Sequence, residues 1–415
     1  MRETRDGRAR SSGTSVLDRL RPDDGGSAPP VRALRRRRWA VVALVAALLI
    51  AIPAVVAAWP ASPTVEVAPA ELRDRVAASA GVAWSGYAEA SGGLNLPSVS
   101  QFSDVTSLLS GTSRLRAWYA APDRSRVDQL YAGGERGRYV TSTGQAVWDY
   151  GAQLLTLVRR DPLVRLPRSD DLLPPQLARR LLSGTFPDDP VSGLEPRRVA
   201  GVDAPGFRVA VADPRTTVGA LDVWADPTSG LPVAVEIRTK SAAGVLADAP
   251  VVVSRFLELE QAAPDPAVLD AQAPPGAGTT RSPTSDLFGV LGRGNPAAVP
   301  ATVDGVGRER PQRGFAAIGK YGTSLSQLIV VPLPPDLSGP LLDNIQRAGR
   351  NGRTIAVAAP ERTNRRTANA TAGALSSPLL QLAVVEVGDR AWAVGGLVPD
   401  DVLDRAVADI AGSVS

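Results

Sequence analysis

The feature that most constrains this chain is a run of twenty uncharged residues from Trp39 to Ala58. At about 1.5 Å per residue, a helix of that length reaches about 30 Å and matches the hydrocarbon core of a bilayer. The arginines Arg35 to Arg38 precede the run directly, and no basic residue follows it before Arg73. By the positive-inside rule, the N-terminus is predicted to lie in the cytoplasm and the rest of the chain outside it.

The segment before the run is rich in Arg, Ser, Gly, Asp and Pro, so residues 1–38 are predicted to be a disordered basic cytoplasmic tail and residues 39–58 a transmembrane helix. A cleavable signal peptide is the competing interpretation, because Val56, Ala57 and Ala58 resemble the residues before a cleavage site. A leader of about thirty-eight residues is long for such a peptide. The sequence therefore favours an uncleaved, single-pass anchor in the cell membrane, with the main domains extracytoplasmic.

The charge of the chain is concentrated in that tail. Residues 1–38 carry eleven Arg and five acidic residues, which gives +6, and the net charge of +4 for the whole chain leaves −2 for the remainder. A near-neutral module lacks the basic surface that binding to a phosphate backbone requires. Nucleic acid is therefore not an expected partner.

The chain contains neither His nor Cys, which excludes disulfides, thiol nucleophiles, His-based triads and the usual zinc sites. The remaining catalytic candidates are the Asp188-Asp189 pair and the two lysines, Lys240 and Lys320. No motif surrounds any of them, so we expect them to be structural and the protein not to be an enzyme. No cofactor is predicted.

Short segments rich in Val, Trp, Tyr and Leu, bounded by turn residues, follow a helix predicted over residues 69–80 and indicate consecutive antiparallel strands. A second, amphipathic helix is predicted between Pro174 and Gly184. The predicted strands are Ala83–Ala90, Arg114–Ala120, Arg126–Tyr131, Arg138–Ser142, Ala146–Tyr150, Leu154–Arg159, Arg197–Val202, Gly206–Ala212, Ala220–Ala225, Pro232–Lys240 and Val251–Glu260.

These patterns predict an α+β first domain over residues 66–275, with helices and a large antiparallel sheet. Residues 276–300 belong to a Pro-rich stretch and are predicted to be a semi-rigid linker. Residues 301–415 are predicted to form a smaller α+β domain. Its predicted elements are the strands Ser326–Leu333, Leu379–Val387 and Ala391–Val398, a helix over Pro340–Ala348 and a closing helix that begins near Asp400.

Nine of the nineteen aromatic residues fall between Trp84 and Tyr150, and all but Phe102 lie within the predicted strands. Because successive strand residues face opposite sides, Trp118 and Tyr119 are predicted on different faces and Trp148 and Tyr150 on one face. One interpretation is that the aromatics only fill the core. The other is an apolar cleft that binds a small ligand. Its candidate residues are Trp84, Tyr87, Trp118, Tyr119, Trp148 and Tyr150.

The order of these segments resembles the RseB/MucB family of sigma-E regulatory proteins, whose first domain is similar to the lipoprotein carrier LolA. Short stretches that carry the resemblance are Trp84–Tyr87, Arg126–Leu130, Gly133–Glu135, Gln145–Tyr150, Tyr321–Val331 and Arg390–Pro399. The resemblance implies a curved half-barrel sheet with covering helices that holds a lipid or lipoprotein acyl chain. It also implies a C-terminal domain that contacts a membrane anti-sigma protein.

Three functions remain open at this point. The first is a membrane-tethered regulator of the RseB/MucB type that binds an acyl group and an anti-sigma partner. The second is a carrier like LolA that hands a lipid or lipoprotein to a cell-envelope acceptor or transporter. The third is a structural interaction module without a ligand, in which all the aromatics belong to the core.

Overall fold

The computed structural model of the protein describes residues 65–94, 103–158, 165–241, 243–282, 299–311, 316–323, 325–357 and 370–413. The predicted tail and the predicted transmembrane helix, as well as residues 283–298 of the predicted linker, lie outside the described residues. Within the described ranges, no helix has the length and apolar character needed to cross a membrane. The stretch from Pro60 onward forms one compact unit.

The first helix, α1 (Pro69–Ala78), confirms the predicted helix, and a short 3-10 turn, Ser79–Gly81, follows it. Its start follows from Pro69 in the first turn, where a missing N–H costs nothing, and from the acidic Glu71 at the positive end of the helix dipole. Leu72 and Val76, one turn apart, are fully buried. The helix thus packs one narrow stripe against the first domain.

The aromatic segment forms the predicted meander of antiparallel strands, with every strand confirmed to within four residues at either end. A helix that the sequence analysis did not predict, α2 (Ser103–Ser110), lies between the first two strands. The strands are β1 (Trp84–Gly92), β2 (Thr112–Ala121), β3 (Arg124–Tyr131), β4 (Gly134–Thr141), β5 (Gly144–Asp149) and β6 (Leu154–Val158).

Helix α3 (Pro174–Leu182) confirms the second predicted helix and leads into five more antiparallel strands. These are β7 (Val191–Val199), β8 (Val202–Ala210), β9 (Val218–Ala225), β10 (Pro232–Thr239) and β11 (Val252–Glu260). The prediction of a strand over Arg197–Val202 was wrong. Ala200 and Gly201 have φ of +48° and +83°, so they form the turn between β7 and β8, and strand backbone does not adopt such angles.

Twelve strands make up the large sheet, in the order β12-β6-β5-β4-β3-β2-β1-β11-β10-β9-β8-β7. Strand β1 lies in the middle and pairs with β2 on one side and with β11 on the other. Backbone atoms of β7 approach those of β11 although three strands separate them in the sheet order. Flat neighbours lie about 4.8 Å apart, so four steps would span about 19 Å, and the sheet must therefore roll up at this end.

The strand β12 (Gly278–Ser282) falls within the range predicted as a linker, and it pairs with β6 in parallel. The chain between β11 and β12 crosses the face of the sheet that is opposite to helix α3. Arg124 and Arg126 on β3 donate hydrogen bonds to Asp270 and to the carbonyl oxygen of Val268, respectively. This crossing segment therefore covers strands that would otherwise be exposed.

The C-terminal part holds a second, six-stranded sheet in the order β15-β16-β20-β19-β18-β17, with a two-stranded ribbon beside it. The ribbon consists of β13 (Thr302–Val303) and β14 (Val306–Gly307). The sheet strands are β15 (Gly319–Tyr321), β16 (Leu328–Leu333), β17 (Gly352–Ile355), β18 (Ala370–Ser376), β19 (Gln381–Val387) and β20 (Arg390–Gly396). The three predicted strands of this part correspond to β16, β19 and β20, whereas the other five strands were not predicted.

Two helices pack on the second sheet. Helix α4 (Pro335–Arg347) begins five residues earlier than predicted, because Pro335 and not Pro340 lies in its first turn. Helix α5 (Asp400–Gly412) buries Leu403, Ala406, Val407 and Ile410, the apolar face that its sequence predicts. The buried core of α5 contains residues of β16, β18, β19 and β20. Leu342 and Ile345 of α4 belong instead to the core that reaches α1 and α3.

The two sheets share that last core and are also joined by hydrogen bonds. The loop between β8 and β9 carries Thr216 and Thr217, which are 1% and 7% exposed. The backbone N–H of Thr217 donates to the carbonyl oxygen of Leu397 at 3.0 Å, and its hydroxyl donates to that of Leu379 at 2.5 Å. Described residues on both sides of the predicted linker are therefore packed directly against each other.

Candidate functional site

The centre of the candidate site is an aromatic cluster on the face of the large sheet that also contacts helix α3. Trp84 on β1 lies opposite Tyr119 on β2, and their rings stack with centroids 5.7 Å apart and planes 10° from parallel. Phe256 on β11 meets Trp84 edge-on at 5.1 Å. Trp84 is fully buried, and Phe256 is 1% exposed. The strand alternation that the sequence predicts therefore places these rings together, within one apolar layer.

The layer is covered by the chain that connects β6 to β7. Leu172 and Leu173, just before α3, are buried in the same core as Trp84 and Tyr119. The fully buried hydroxyl of Ser254 on β11 donates to the carbonyl oxygen of Leu172 at 2.5 Å. We call residues 165–182, which contain this turn and helix α3, the cover segment. The cover segment separates the aromatic cluster from solvent.

Charged groups hold the start of the cover segment in place. Asp171 accepts two hydrogen bonds from the guanidinium of Arg165, at 2.6 and 2.7 Å, and another from Arg180. Burial acts to raise the pKa of Asp171, but the hydrogen bonds and charges of Arg165 and Arg180 outweigh it and lower that pKa. The cover segment is also tied to the sheet, because the guanidinium of Arg168 lies 3.2 Å from the side-chain oxygen of Gln145 on β5.

Arg179 of the cover segment has different contacts from the arginines that pair with Asp171. The guanidinium of Arg179 on α3 donates to the hydroxyl of Ser79 at 3.3 Å and lies 6.0 Å from the ring centroid of Tyr119. Burial lowers the pKa of Arg179, and only the ring hydroxyl of Tyr119 acts to raise it. Burial also raises the pKa of Tyr119, whose hydroxyl donates to the carbonyl oxygen of Ala80 at 2.7 Å.

The opposite face of the same strands carries a second cluster. The guanidinium of Arg126 lies between the rings of Trp118 and Tyr139, 4.9 Å from each centroid. It also donates two hydrogen bonds to Asp128, at 2.6 and 2.9 Å, and Asp128 is 2% exposed. This stack ties β2, β3 and β4 together beneath the segment that leads to β12. It is a closed structural arrangement.

The six residues predicted to line the cleft are thus divided. Trp84 and Tyr119 lie together under the cover segment, whereas Trp118 lies on the opposite face, as the alternation predicts. Trp148 is 7% exposed and packs with Tyr139 in a separate small core. Tyr150 is 55% exposed, because β5 ends at Asp149 and Tyr150 begins the following turn. Tyr87 is partly exposed and pairs with Arg116 across the strands, away from the stacked rings.

Two residues of the site were not among the predicted ones. Phe256 lies at the centre of the aromatic cluster and Arg179 beside it. Phe256 had a sequence signal, because it is an aromatic residue within a predicted strand. Arg179 had none, since an arginine on an amphipathic helix normally faces solvent.

Of the groups considered as catalytic candidates, Asp188 is exposed, whereas Asp189, Lys240 and Lys320 have structural partners. Both oxygens of Asp189 accept backbone hydrogen bonds, from Phe186 and Ala212. Lys240 donates to two backbone carbonyls, and Lys320 pairs with Glu309 at 2.9 Å. Over the described part of the chain, no group of three or more acidic side chains is arranged to hold a metal ion.

Comparison with known proteins finds solved structures but no family model and no curated protein that matches. The chain is similar to MucB in the complex of Pseudomonas aeruginosa MucA and MucB, at 16% identity and a TM-score of 0.40, over 82% of this chain and 96% of that one. The crystal structure of MucB alone gives 15% identity and a TM-score of 0.42 over the same shares. A LolA superfamily protein from Nitrosomonas europaea, at 10% identity and a TM-score of 0.23, matches 50% of this chain and 99% of its own. MucB and the LolA superfamily are the two groups that the sequence motifs resemble.

Proposed function

We propose that this protein is a membrane-tethered, extracytoplasmic regulator of the RseB/MucB type. In this proposal its first domain binds the acyl chain of a lipid or lipoprotein, and its C-terminal domain contacts a membrane partner of the anti-sigma type. The anchor over residues 39–58 keeps both domains close to the outer surface of the membrane.

The observation that carries the proposal is the apolar layer between the large sheet and the cover segment. Its wall contains Trp84, Tyr119 and Phe256, and it continues through the fully buried Leu115 and Ala117 on β2. Burial of about twelve methylene groups at about 0.8 kcal/mol each would contribute about 10 kcal/mol before ordering costs are subtracted. An acyl chain inserted into this layer would therefore gain enough free energy for tight binding.

Access to the layer requires the cover segment to move. The segment is a single short stretch of turn and helix. At the centre of the layer it is tied to the sheet by the hydrogen bond from Ser254 to Leu172. The ion pairs of Asp171 lie within the segment itself and travel with it. For the cover segment to separate from the sheet, the contact of Arg168 with Gln145 and the ion pair of Asp170 with Arg138 must also break, while the strands keep their ladder hydrogen bonds.

The proposed partner follows from the sequence resemblance. The direct packing of the second sheet on the loop between β8 and β9 gives a route from ligand to partner, because strands β8 and β9 also contact α1 and α3. A cover segment displaced by an acyl chain would change that shared core. A regulator needs such a route from the ligand to the partner, whereas a carrier needs only to bind its lipid and release it.

The test is lipid capture by the compact unit from Pro60 onward, exported from a bacterial host and analysed by native mass spectrometry with lipid extraction. We expect a bound acyl lipid, or saturable uptake of a fluorescent fatty acid when the protein is isolated empty. A protein that is always empty and takes up no fatty acid would contradict both the regulator and the carrier.

Capture of the partner by the full-length chain, solubilised from membranes, then separates the two lipid-binding functions. Recovery of a single-pass anti-sigma protein supports the regulator, and recovery of a transporter supports a carrier. A protease applied to intact cells should cut the part after residue 59 and spare residues 1–38. Protection of the larger part would rule out the proposed topology.

A further inference from the structure

Two hydrogen-bond donors beside the aromatic cluster lack the acceptors that their burial requires. The first is the guanidinium of Arg179. Among the residues that the structure describes, no carboxylate lies within 4.0 Å of it, and its hydrogen bond is to a neutral hydroxyl, that of Ser79. Two other arginines of the cover segment, Arg165 and Arg180, each have an ion pair with Asp171. Arg179 is thus a partly buried cation without a counter-charge.

The second donor is the indole N–H of Trp84. Trp84 is fully buried, and none of the described residues accepts a hydrogen bond from its Nε1 atom. A buried tryptophan normally finds an acceptor, as the Nε1 of Trp224 does with the carbonyl oxygen of Glu195 at 3.0 Å. An unsatisfied buried donor destabilises the fold, so a ligand that supplies the missing acceptor would recover that free energy.

Both donors flank the same ring. Trp84 stacks on Tyr119 at 5.7 Å, and Arg179 lies 6.0 Å from the centroid of Tyr119. The hydroxyl of Tyr119 donates to the carbonyl oxygen of Ala80 and, being neutral, is not a counter-ion for Arg179. The ring of Trp84 and the guanidinium of Arg179 thus each lie within about 6 Å of the Tyr119 ring, near the end of α1.

We propose that the acyl ligand carries an anionic oxygen head group, a carboxylate or a phosphate, which binds between Arg179 and the indole N–H of Trp84. This inference rests on the proposed function, because it concerns the head of the chain that the apolar layer would hold. A planar guanidinium and a nearby neutral donor suit an oxyanion, which accepts several hydrogen bonds at once. The chain would extend from there along Leu115 and Phe256.

The experiment measures binding of three probes that share one saturated chain, namely a fatty acid, a monoacyl phosphate and the fatty alcohol, to the full-length chain in nanodiscs of neutral lipid. Arg179→Gln removes the charge, and Arg179→Lys keeps a charge without the planar fork. Trp84→Phe removes the indole donor and keeps an aromatic ring. Arg180→Gln is the matched control, because it changes the neighbouring arginine, whose partner is Asp171.

We expect the parent protein to prefer an anionic probe to the alcohol by at least about tenfold, since a hydrogen bond to a charged group is worth about 1.5–3 kcal/mol. Arg179→Gln should remove that preference, Trp84→Phe should reduce it, and Arg180→Gln should leave it unchanged. Comparison of the fatty acid with the phosphate identifies which anionic source the site favours.

Three results would overturn the inference. If all probes bind equally well to the parent protein, the head group is not recognised, although the proposed function survives. If Arg179→Gln weakens binding of the alcohol as much as that of the acid, Arg179 only supports the fold. If no probe binds, the proposed function fails and the inference fails with it. The melting temperature of the unliganded Arg179→Gln variant should equal or exceed that of the parent protein, because an uncompensated buried charge is removed.

Discussion

The hydroxyl of Thr217 donates a buried hydrogen bond of 2.5 Å to the carbonyl oxygen of Leu379, a residue 162 positions later in the chain. Thr217 lies on the loop between two strands of the large sheet, and Leu379 lies just before a strand of the second sheet. The bond therefore connects two parts of the molecule that a Pro-rich stretch separates in sequence.

This bond predicts the effect of Thr217→Val, which keeps the side-chain shape and removes the donor. The carbonyl of Leu379 would lose its partner within a buried contact, so the free energy of unfolding should fall by about 1–3 kcal/mol. Urea denaturation of the unit from Pro60 onward measures the loss. Thr280→Val, at an exposed position of β12, is the control and should change stability by less than about 0.5 kcal/mol. Equal effects of the two variants would show that the bond does not couple the sheets.

A buried carboxylate on the large sheet predicts a pH-dependent contribution. Asp222 is 1% exposed and accepts hydrogen bonds from Arg208, at 2.5 and 2.6 Å, and from Arg238 at 2.8 Å. Burial would raise the pKa of Asp222, but the bonds from the two arginines lower it. Asp222→Asn should therefore cost about 3 kcal/mol of unfolding free energy at neutral pH, because Arg208 loses its carboxylate partner and Arg238 keeps only Glu236.

The sign of the pH dependence follows from that lowered pKa. Asp222 stabilises the fold fully above its unfolded pKa of about 3.9, and this contribution is lost as the pH falls through the lower folded value. The difference between parent and Asp222→Asn in urea denaturation should thus shrink below about pH 4. Asp203→Asn is the control, because solvent screens its ion pair with the partly exposed Arg198 and its loss should change stability much less. A constant difference down to about pH 3 would contradict the assignment.

The turn before β10 predicts a strong requirement for glycine at one position. Gly230 has φ of +69°, and a Cβ added there would lie 2.6 Å from backbone atoms of Arg75 in α1. Gly230→Ala should cost more than the roughly 1–2 kcal/mol of a left-handed alanine, since the helix must also move. Gly201→Ala tests the conformational part alone, because Gly201 has φ of +83° and open space around it. Thermal denaturation of both variants gives the comparison, and similar losses would show that the contact with α1 tolerates the change.

Substitution of the neighbouring aromatics Tyr119 and Trp118 should affect ligand binding differently. Tyr119→Leu removes a ring from the layer under the cover segment and should lower fatty-acid uptake several-fold. Trp118→Leu removes a ring that stacks on Arg126 on the other face, at a cost of about 0.5–1 kcal/mol of stability, and should leave uptake unchanged. Titration with a fluorescent fatty acid, at a temperature where both variants are folded, measures uptake. A loss of binding in Trp118→Leu alone would move the site to the opposite face.

Local signals were sufficient for the elements whose ends the sequence marks. Pro69, Pro174 and the Asp400-Asp401 pair begin three helices where their residue chemistry predicts them, and turn residues separate the strands of the meander. The predictions were wrong where the same local pattern is compatible with two structures. Pro340 predicts a helix start but lies inside α4. The pattern of Arg197–Val202 predicts a strand, but this stretch contains the turn at Gly201.

The sequence by itself determined the charge asymmetry, the apolar run of residues 39–58, the absence of His and Cys chemistry, and the alternation that separates Trp118 from Tyr119. These properties depend on residues that are near one another in the chain. Tertiary structure alone decided the sheet order, the parallel addition of β12, and the placement of Arg179 beside Ser79, one hundred residues away. Such contacts form between apolar surfaces that exclude water together. The local sequence of a strand or helix shows that it has an apolar face, but not which other element covers that face. The apolar run therefore predicts a membrane anchor, while tertiary packing decides which face of the sheet the cover segment encloses.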